Sequence, residues 1–347
     1  MAAVNEESIV WRNARKTAVQ FGDKLRSFAG KTVVLTGATG LIGSQVARVL
    51  FATNDAEELG IHLVLPVRNP ERAALLFGER DDACYLAWAL GEEPAISSCD
   101  YFIHCACSTS SRDFSERPAG VLLDVVDGTA ACLRAAQSTG CNSFVYLSTM
   151  EVYGEPAKKP ASETDLGPVD PMEVRSSYPI GKLAAENLVV GFGAQTGMRV
   201  VVARLAQTFG AGVRGDDGRV FAEFARCAVA DKDITLLSDG SKRNCYLSVD
   251  DAASGILTLA ICGDASGAYN IANPETYCSI SEMAEMVLSE FGTSEAKVTF
   301  GCDPARSKTF RKGDDILLDV SRMRSLGWEP EDGLVDMYAD LIADWGE

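Results

Sequence analysis

Residues Lys31–Ser44 read KTVVLTGATGLIGS, a β-branched apolar run that breaks into three glycines, Gly37, Gly40 and Gly43, and then enters the helix-like SQVARVLFAT. A strand turning sharply into a helix gives each glycine a task. The first permits the tight turn, the second lets a pyrophosphate approach the backbone, and the third allows close packing of helix on strand. The helix N-terminus adds unpaired N–H groups that face the phosphate charge. The stretch is expected to open a dinucleotide-binding unit.

Outward from it, IHLVLPVR, DYFIHCAC, SFVYLST and MRVVVARL are continuous apolar runs, separated by segments of helical periodicity such as GTAACLRAAQSTG and YPIGKLAAENLVVGFG. Apolar strands alternating with helices imply a parallel sheet covered on both faces. The pattern predicts an α/β fold, a Rossmann-type doubly wound parallel sheet over residues 31–205. Residues 1–30 read as a helical extension, with an amphipathic helix over 6–28. From residue 206 to 347 short strands, glycine-rich loops and helices mix. This C-terminal part is expected to be a smaller α+β substrate-binding portion, with some return to the main sheet near 248–272.

The 347 residues carry a formal charge of −17, which opposes any extended contact with nucleic acid or an anionic membrane surface. No run reaches the length of a membrane span, and the N-terminus MAAVNEESIVWRNARK lacks the apolar core of a signal peptide, so the chain reads as cytoplasmic. The eleven cysteines are scattered through apolar segments, as expected of reduced core thiols. Neither His62 nor His104 stands at zinc-ligand spacing with a cysteine pair, and no metal site is expected.

Two further features bear on chemistry. In SSYPIGKLAAEN, Tyr178 and Lys182 are four apart, on one face of a helix whose first turn suits Pro179. Upstream, FVYLSTMEVYG is a strand that runs into a polar loop at the expected carboxyl edge of the sheet, where ligands of such folds bind. A phenol of unperturbed pKa ~10 becomes a useful base only if a cation such as Lys182 lowers it.

With TGATGLIG, the glycine spacing resembles the extended branch of the short-chain dehydrogenase/reductase superfamily. Together with the Tyr178/Lys182 pair it points to the NAD-dependent nucleotide-sugar epimerase/dehydratase family. The resemblance implies that Gly37, Thr39, Gly40, Leu41, Ile42, Gly43, Cys105 and Ala106 hold the dinucleotide. Thr149 would hydrogen-bond the substrate hydroxyl, Tyr178 act as acid/base, and Lys182 bind the nicotinamide ribose. The cofactor is expected to be NAD, with NADP as the alternative because IHLVLPVRNP ends in Arg68 where an acid would read the ribose hydroxyls. Arg68 stacked in solvent on the adenine is the other reading of that residue.

Ser108, Gln207 in RLAQTFGAGV, Arg219, Arg243 and Arg311 stand where the family binds its nucleotide sugar, and arginines drawn to one cleft suit a diphosphate. Enzymes of this kind oxidise C4 of a hexose and exploit the ketone. Glu151, following Thr149 and Met150, matches 4,6-dehydratases and UDP-glucuronate decarboxylases, while Met150 departs from both, since dehydratases carry an aspartate there and decarboxylases a serine. The segments DPMEVRSSYPIGK and DDGRVFAEF are similar to those of decarboxylases. Decarboxylation of a UDP-glucuronate-like substrate is the leading expectation and 4-epimerisation the second. An NADPH-dependent reductase and a non-catalytic dinucleotide sensor are weaker alternatives. Helices near 118–138 and 177–194 correspond to the pair that forms a homodimer interface in this branch.

Overall fold

The β-branched run at Lys31–Thr36 does become a strand, and the strands that follow take their place beside it. In the computed structural model, which describes residues 4–109, 111–264, 266–293, 295–301 and 315–347, these are β1 (Thr32–Thr36), β2 (His62–Val67), β3 (Ala83–Ala87), β4 (Tyr101–His104), β5 (Ser143–Thr149) and β6 (Arg199–Leu205). There follow β7 (Gln207–Phe209), β8 (Ile234–Leu236), β9 (Arg243–Ser248), β10 (Gly267–Ile271), β11 (Asn273–Ser279) and β12 (Val298–Phe300). Seven of them form one sheet in the order β3-β2-β1-β4-β5-β6-β10, with every neighbouring pair parallel. The order reverses between β1 and β4. Open α/β sheets bind ligands at the crevice such a reversal creates, outside the carboxyl ends of the strands.

The Leu41–Glu57 helix is buried almost all round from Gly43 to Asn54, because it lies between the sheet and the helices Ile9–Gln20 and Val249–Cys262. On the other side of the sheet, the helices Pro118–Ser138 and Ser177–Thr196 pack closely on each other. Gly181 lies at this contact, where even a Cβ would stand 3.4 Å from the Leu122 Cα, an ordinary van der Waals distance. After β6 the chain builds a second apolar cluster, in which Phe209 stacks on Phe221 and meets Tyr338 edge-on. There β7, β9 and β11 form a three-stranded sheet, and β8 pairs with β12.

The N-terminal segment departs from the single helix expected over 6–28. The helix is Ile9–Gln20, followed by the short turn Gly22–Leu25 and a 3-10 turn Arg26–Phe28. The apolar face runs on through the break, with Leu25 and Phe28 both fully buried at a helical three-residue spacing, while the backbone leaves the regular α-helix at Phe21, φ −104° and ψ 7°. None of the described helices is long and apolar enough to cross a membrane.

A buried polar network ties the two halves together under the sheet's carboxyl edge. Arg204 on β6 pairs with Glu186 of the Ser177–Thr196 helix at 2.7 Å, and both side chains are nearly inaccessible, 6% and 10% exposed. Ser148 on β5 donates to the same carboxylate at 2.5 Å. Arg204 also donates to the Glu163 carbonyl and to the Tyr153 hydroxyl, and that hydroxyl donates to Asn270 on β10. Removing one partner strands a desolvated charge. Arg204→Met is expected to cost about 3–5 kcal/mol in denaturant-induced unfolding. Arg324→Ala, which breaks the exposed pair with Glu329, is expected to cost at most about 1 kcal/mol, and equal losses would contradict the network's role.

Candidate active site

The glycine turn is shaped as a cradle with no room for side chains. Gly37 has φ +73°, in the left-handed region, and a Cβ there would come within 2.8 Å of the Ala106 nitrogen and 2.9 Å of the Cys105 carbonyl carbon. At Gly43 a Cβ would meet the Gly37 carbonyl oxygen at 2.3 Å. Gly40 is the N-cap of the Leu41–Glu57 helix and brings no side chain to its first turn. Thr39, Leu41 and Ile42 line this turn half-buried. The backbone of Cys105 and Ala106 is fastened beside it, Ala106 N–H donating to Thr36 Oγ1 at 3.3 Å. A bare, positive-φ turn at a helix N-terminus, placed where the strand order reverses, fits a dinucleotide's pyrophosphate.

Arg68 follows the last residue of β2 and is exposed, while Asn69 caps the next helix by accepting from the Arg72 N–H at 3.0 Å. His104 is buried with Nδ1 2.7 Å from Thr36 Oγ1. Burial pushes it down to about 3, so it stays neutral and ties β4 to β1. No group of three or more histidine, cysteine or carboxylate side chains is gathered for a metal ion among the described residues. The ten described cysteines are free thiols, although Cys84 and Cys262 are exposed rather than in the core.

The carboxyl end of β5 and the Ser177–Thr196 helix assemble the second half of the site. Lys182 is buried, donates from Nζ to the Leu147 carbonyl at 2.7 Å, and stands 4.9 Å from the Tyr146 ring centroid and 5.9 Å from that of Tyr178. Burial alone would lower its pKa, but Cys107, Tyr178 and Cys105 around the ammonium raise it overall, so the cation is retained. Tyr178 is buried too. Its burial pushes the phenol upward, and Lys182 is the neighbour that pulls it back. The phenol is therefore a proton donor at rest, and becomes a base only when positive charge near it increases.

Thr149 ends β5 and caps the 3-10 turn Met150–Tyr153, its Oγ1 accepting from the Glu151 N–H at 3.3 Å. The hydroxyl proton of Thr149 thus remains to donate. Glu151 is ion-paired with Arg175 at 3.1 Å. Arg175 in turn lies 4.5 Å over the Phe114 ring, and Phe114 stacks on Tyr178 at 4.6 Å. Phe114 and Arg175 escaped the sequence reading. The aromatic ring follows no periodic signal, and Arg175 precedes the helix whose spacing drew attention to Tyr178.

The expected substrate residues are distributed less simply. The Ser108 hydroxyl donates to Asp113. Gln207 opens β7, half-buried, in register with Tyr246. Arg219 is held by Asp217 at 2.7 Å and lies over Phe221, while Arg243 pairs with Glu282 at 2.8 Å over Tyr277. Neither arginine bonds to Thr149, Glu151, Tyr178 or Lys182. Arg311 lies outside the described residues.

With this geometry in view, comparison with known proteins is direct. Over 316 residues the chain is 29% identical to UDP-glucuronic acid decarboxylase 1 of Arabidopsis thaliana, covering 90% of this chain and 69% of the relative. An epimerase from Methanothermobacter thermautotrophicus superposes with a TM-score of 0.78 at 21% identity, over 95% of this chain and 96% of its own. The dTDP-glucose 4,6-dehydratase of Streptomyces venezuelae, solved with NAD and TYD bound, gives 0.75 at 19% identity over 91% and 97%. At those identities the two structures share the fold. Residues 33–272, from β1 to the end of β10, match the NAD dependent epimerase/dehydratase family, and the chain is a member of that enzyme family.

Proposed function

We propose that this protein transiently oxidises C4 of a nucleotide-linked hexuronic acid and releases the C6 carboxylate as carbon dioxide, in the manner of a UDP-glucuronate decarboxylase. The observation that carries the reading is the end of β5, where Thr149 is followed within one turn by a carboxylate, Glu151, beside the Tyr178/Lys182 helix. The similarity to a plant decarboxylase over most of the chain supports it. A 4-epimerase is the second reading, because the same Thr149, Tyr178 and Lys182 would serve it without Glu151.

When bound, the dinucleotide supplies the acceptor and donor of hydride. Tyr178 takes the proton of the C4 hydroxyl as hydride leaves, and Lys182, pinned on the Leu147 carbonyl, stabilises the phenolate. Thr149 donates to the same sugar oxygen and holds C4 in place. The C4 ketone turns the C6 carboxylate into that of a β-keto acid. The electrons of the C5–C6 bond then pass into an enolate as carbon dioxide departs, and C5 regains a proton in the region of Glu151. We assign NAD to the glycine turn, with NADP the alternative on account of the exposed Arg68 at the end of β2.

We also propose that the protein is a homodimer through the helices Pro118–Ser138 and Ser177–Thr196, where Leu123 is 55% exposed. Analytical ultracentrifugation at micromolar concentration is expected to give the dimer mass, and a monomer alone would remove the claim. The reaction itself is tested by mass spectrometry of the protein incubated with NAD and a panel of nucleotide sugars that includes uronic acids. UDP-glucuronate is expected to lose the mass of carbon dioxide. An isomer of unchanged mass would favour epimerisation.

Tyr178→Phe is expected to lower turnover at least about 100-fold while dinucleotide affinity changes little, since only the proton acceptor is lost. Retention of a tenth or more of the activity, ~1.4 kcal/mol, would mean another base. Glu151→Gln is expected to slow carbon dioxide release more than the first hydride transfer, so that reduced dinucleotide accumulates in a single turnover. A profile identical to the unsubstituted protein would favour the epimerase.

A further inference from the structure

Arg175 is bound on one side only. Its Nη2 lies 3.2 Å from Oε1 and 3.1 Å from Oε2 of Glu151, whereas Nη1 is buried and has no hydrogen-bond partner. A desolvated donor on a charged group is costly to leave unmade, so its persistence calls for a reason. The guanidinium plane is fixed from below by Phe114, 4.5 Å away, which itself rests on Tyr178. The free donor is thereby held, one aromatic ring from the catalytic phenol, without being satisfied.

The place of Arg175 also separates it from the arginines expected to meet the diphosphate. Its partner Glu151 is two residues beyond Thr149, the residue assigned to the C4 hydroxyl, whereas Arg219 and Arg243 belong to the C-terminal portion and have acidic partners of their own. A group bound by Arg175 is therefore a group on the sugar. Guanidinium is matched to carboxylate, which accepts strongly from it, while the hydroxymethyl of a neutral hexose offers one weaker acceptor.

We propose that Arg175 determines substrate class at this site, its Nη1 receiving the C6 carboxylate of a hexuronic acid. The inference rests on the nucleotide-sugar reading above and adds the residue that tells uronic acid from hexose. Glu151 has a second consequence in this arrangement. Because it already occupies Nη2, the substrate carboxylate is met by one N–H of a half-neutralised cation rather than by a full fork. The contact is selective and yet weak enough for the carboxylate to leave as carbon dioxide.

The test is calorimetric binding of UDP-glucuronate, UDP-glucose and UDP to the NAD-loaded protein and to its Arg175→Gln and Arg175→Lys variants, all carrying Tyr178→Phe so that UDP-glucuronate is not consumed during the titration. Arg175→Gln is expected to lose about tenfold to a hundredfold in affinity for UDP-glucuronate, the value of a hydrogen bond to a charged group, and at most about threefold for UDP-glucose and UDP. Arg175→Lys is expected to fall between, since one ammonium cannot serve Glu151 and a ligand in the same geometry. NAD affinity and the thermal midpoint serve as folding controls. An equal loss for all three ligands, or no loss, overturns the proposal, as does a Tyr178→Phe protein with Arg175 intact that does not prefer UDP-glucuronate to UDP-glucose. Carbon dioxide release is scored separately in the unsubstituted protein. Its absence, with the selective loss intact, removes the decarboxylase reading and keeps Arg175 as the residue that recognises the uronate.

Discussion

Arg204 carries a guanidinium into the interior from near the carboxyl end of β6, after the apolar run Val200–Ala203, and Glu186 meets it from the Ser177–Thr196 helix at 2.7 Å. Neither charge could remain there alone, because desolvation of one without the other costs far more than the pair gains. The constraint sets the helix's position on the sheet. Tyr178, Lys182 and Glu186 follow at four-residue intervals, so the helix presents them as one stripe. Glu186 is locked on β6 and β5 by Arg204 and Ser148, and Lys182 one turn earlier reaches the Leu147 carbonyl. Tyr178 at the head of the stripe is delivered to the end of β5. What places Tyr178, the proposed acid/base, is thus an ion pair two helical turns away from it.

The electrostatics of the site follow from that clamp. Lys182 is buried among the thiols of Cys105 and Cys107 and the phenol of Tyr178, and their influence keeps it charged where burial alone would not. The phenol is raised by its own burial and lowered by the same lysine. Burial wins, so the phenol keeps its proton at rest, and further positive charge beside it is what would draw the proton off. Phe114 and Arg175 then close one side of this centre, and Glu151 is held by Arg175 rather than left in solvent.

The main sheet was legible because parallel strands buried on both faces must be apolar throughout, and because Gly37, Gly40 and Gly43 mark the only kind of turn that can bring a strand and helix so close. Edge and accessory elements were not. ACYLA of β3 is half-exposed at the sheet's margin and lacks β-branched residues, and β8 with β12 pairs segments far apart in sequence. The N-terminal helix is interrupted at Phe21, although its apolar spacing runs on through the buried Leu25 and Phe28, so the periodicity gave no sign of the break. In the site, Thr149, Tyr178 and Lys182 could be singled out by order and spacing. Arg175 could not, since its role comes from a stacking ring and a partner contributed by different segments. A signal was present for Arg204: a charge within RVVVARL announces that some buried partner must exist, though it does not say that the partner is Glu186.

The central claim is that the sugar is oxidised at C4 and reduced again at the same carbon, with carbon dioxide lost between. UDP-glucuronate carrying deuterium at C4 tests it most directly, by nuclear magnetic resonance and mass analysis of the product formed with NAD. The account predicts a pentose product that retains deuterium at C4, one equivalent of carbon dioxide, and no net accumulation of reduced dinucleotide. A product that has lost the C4 label to solvent, or that retains all six carbons of the sugar, would contradict it.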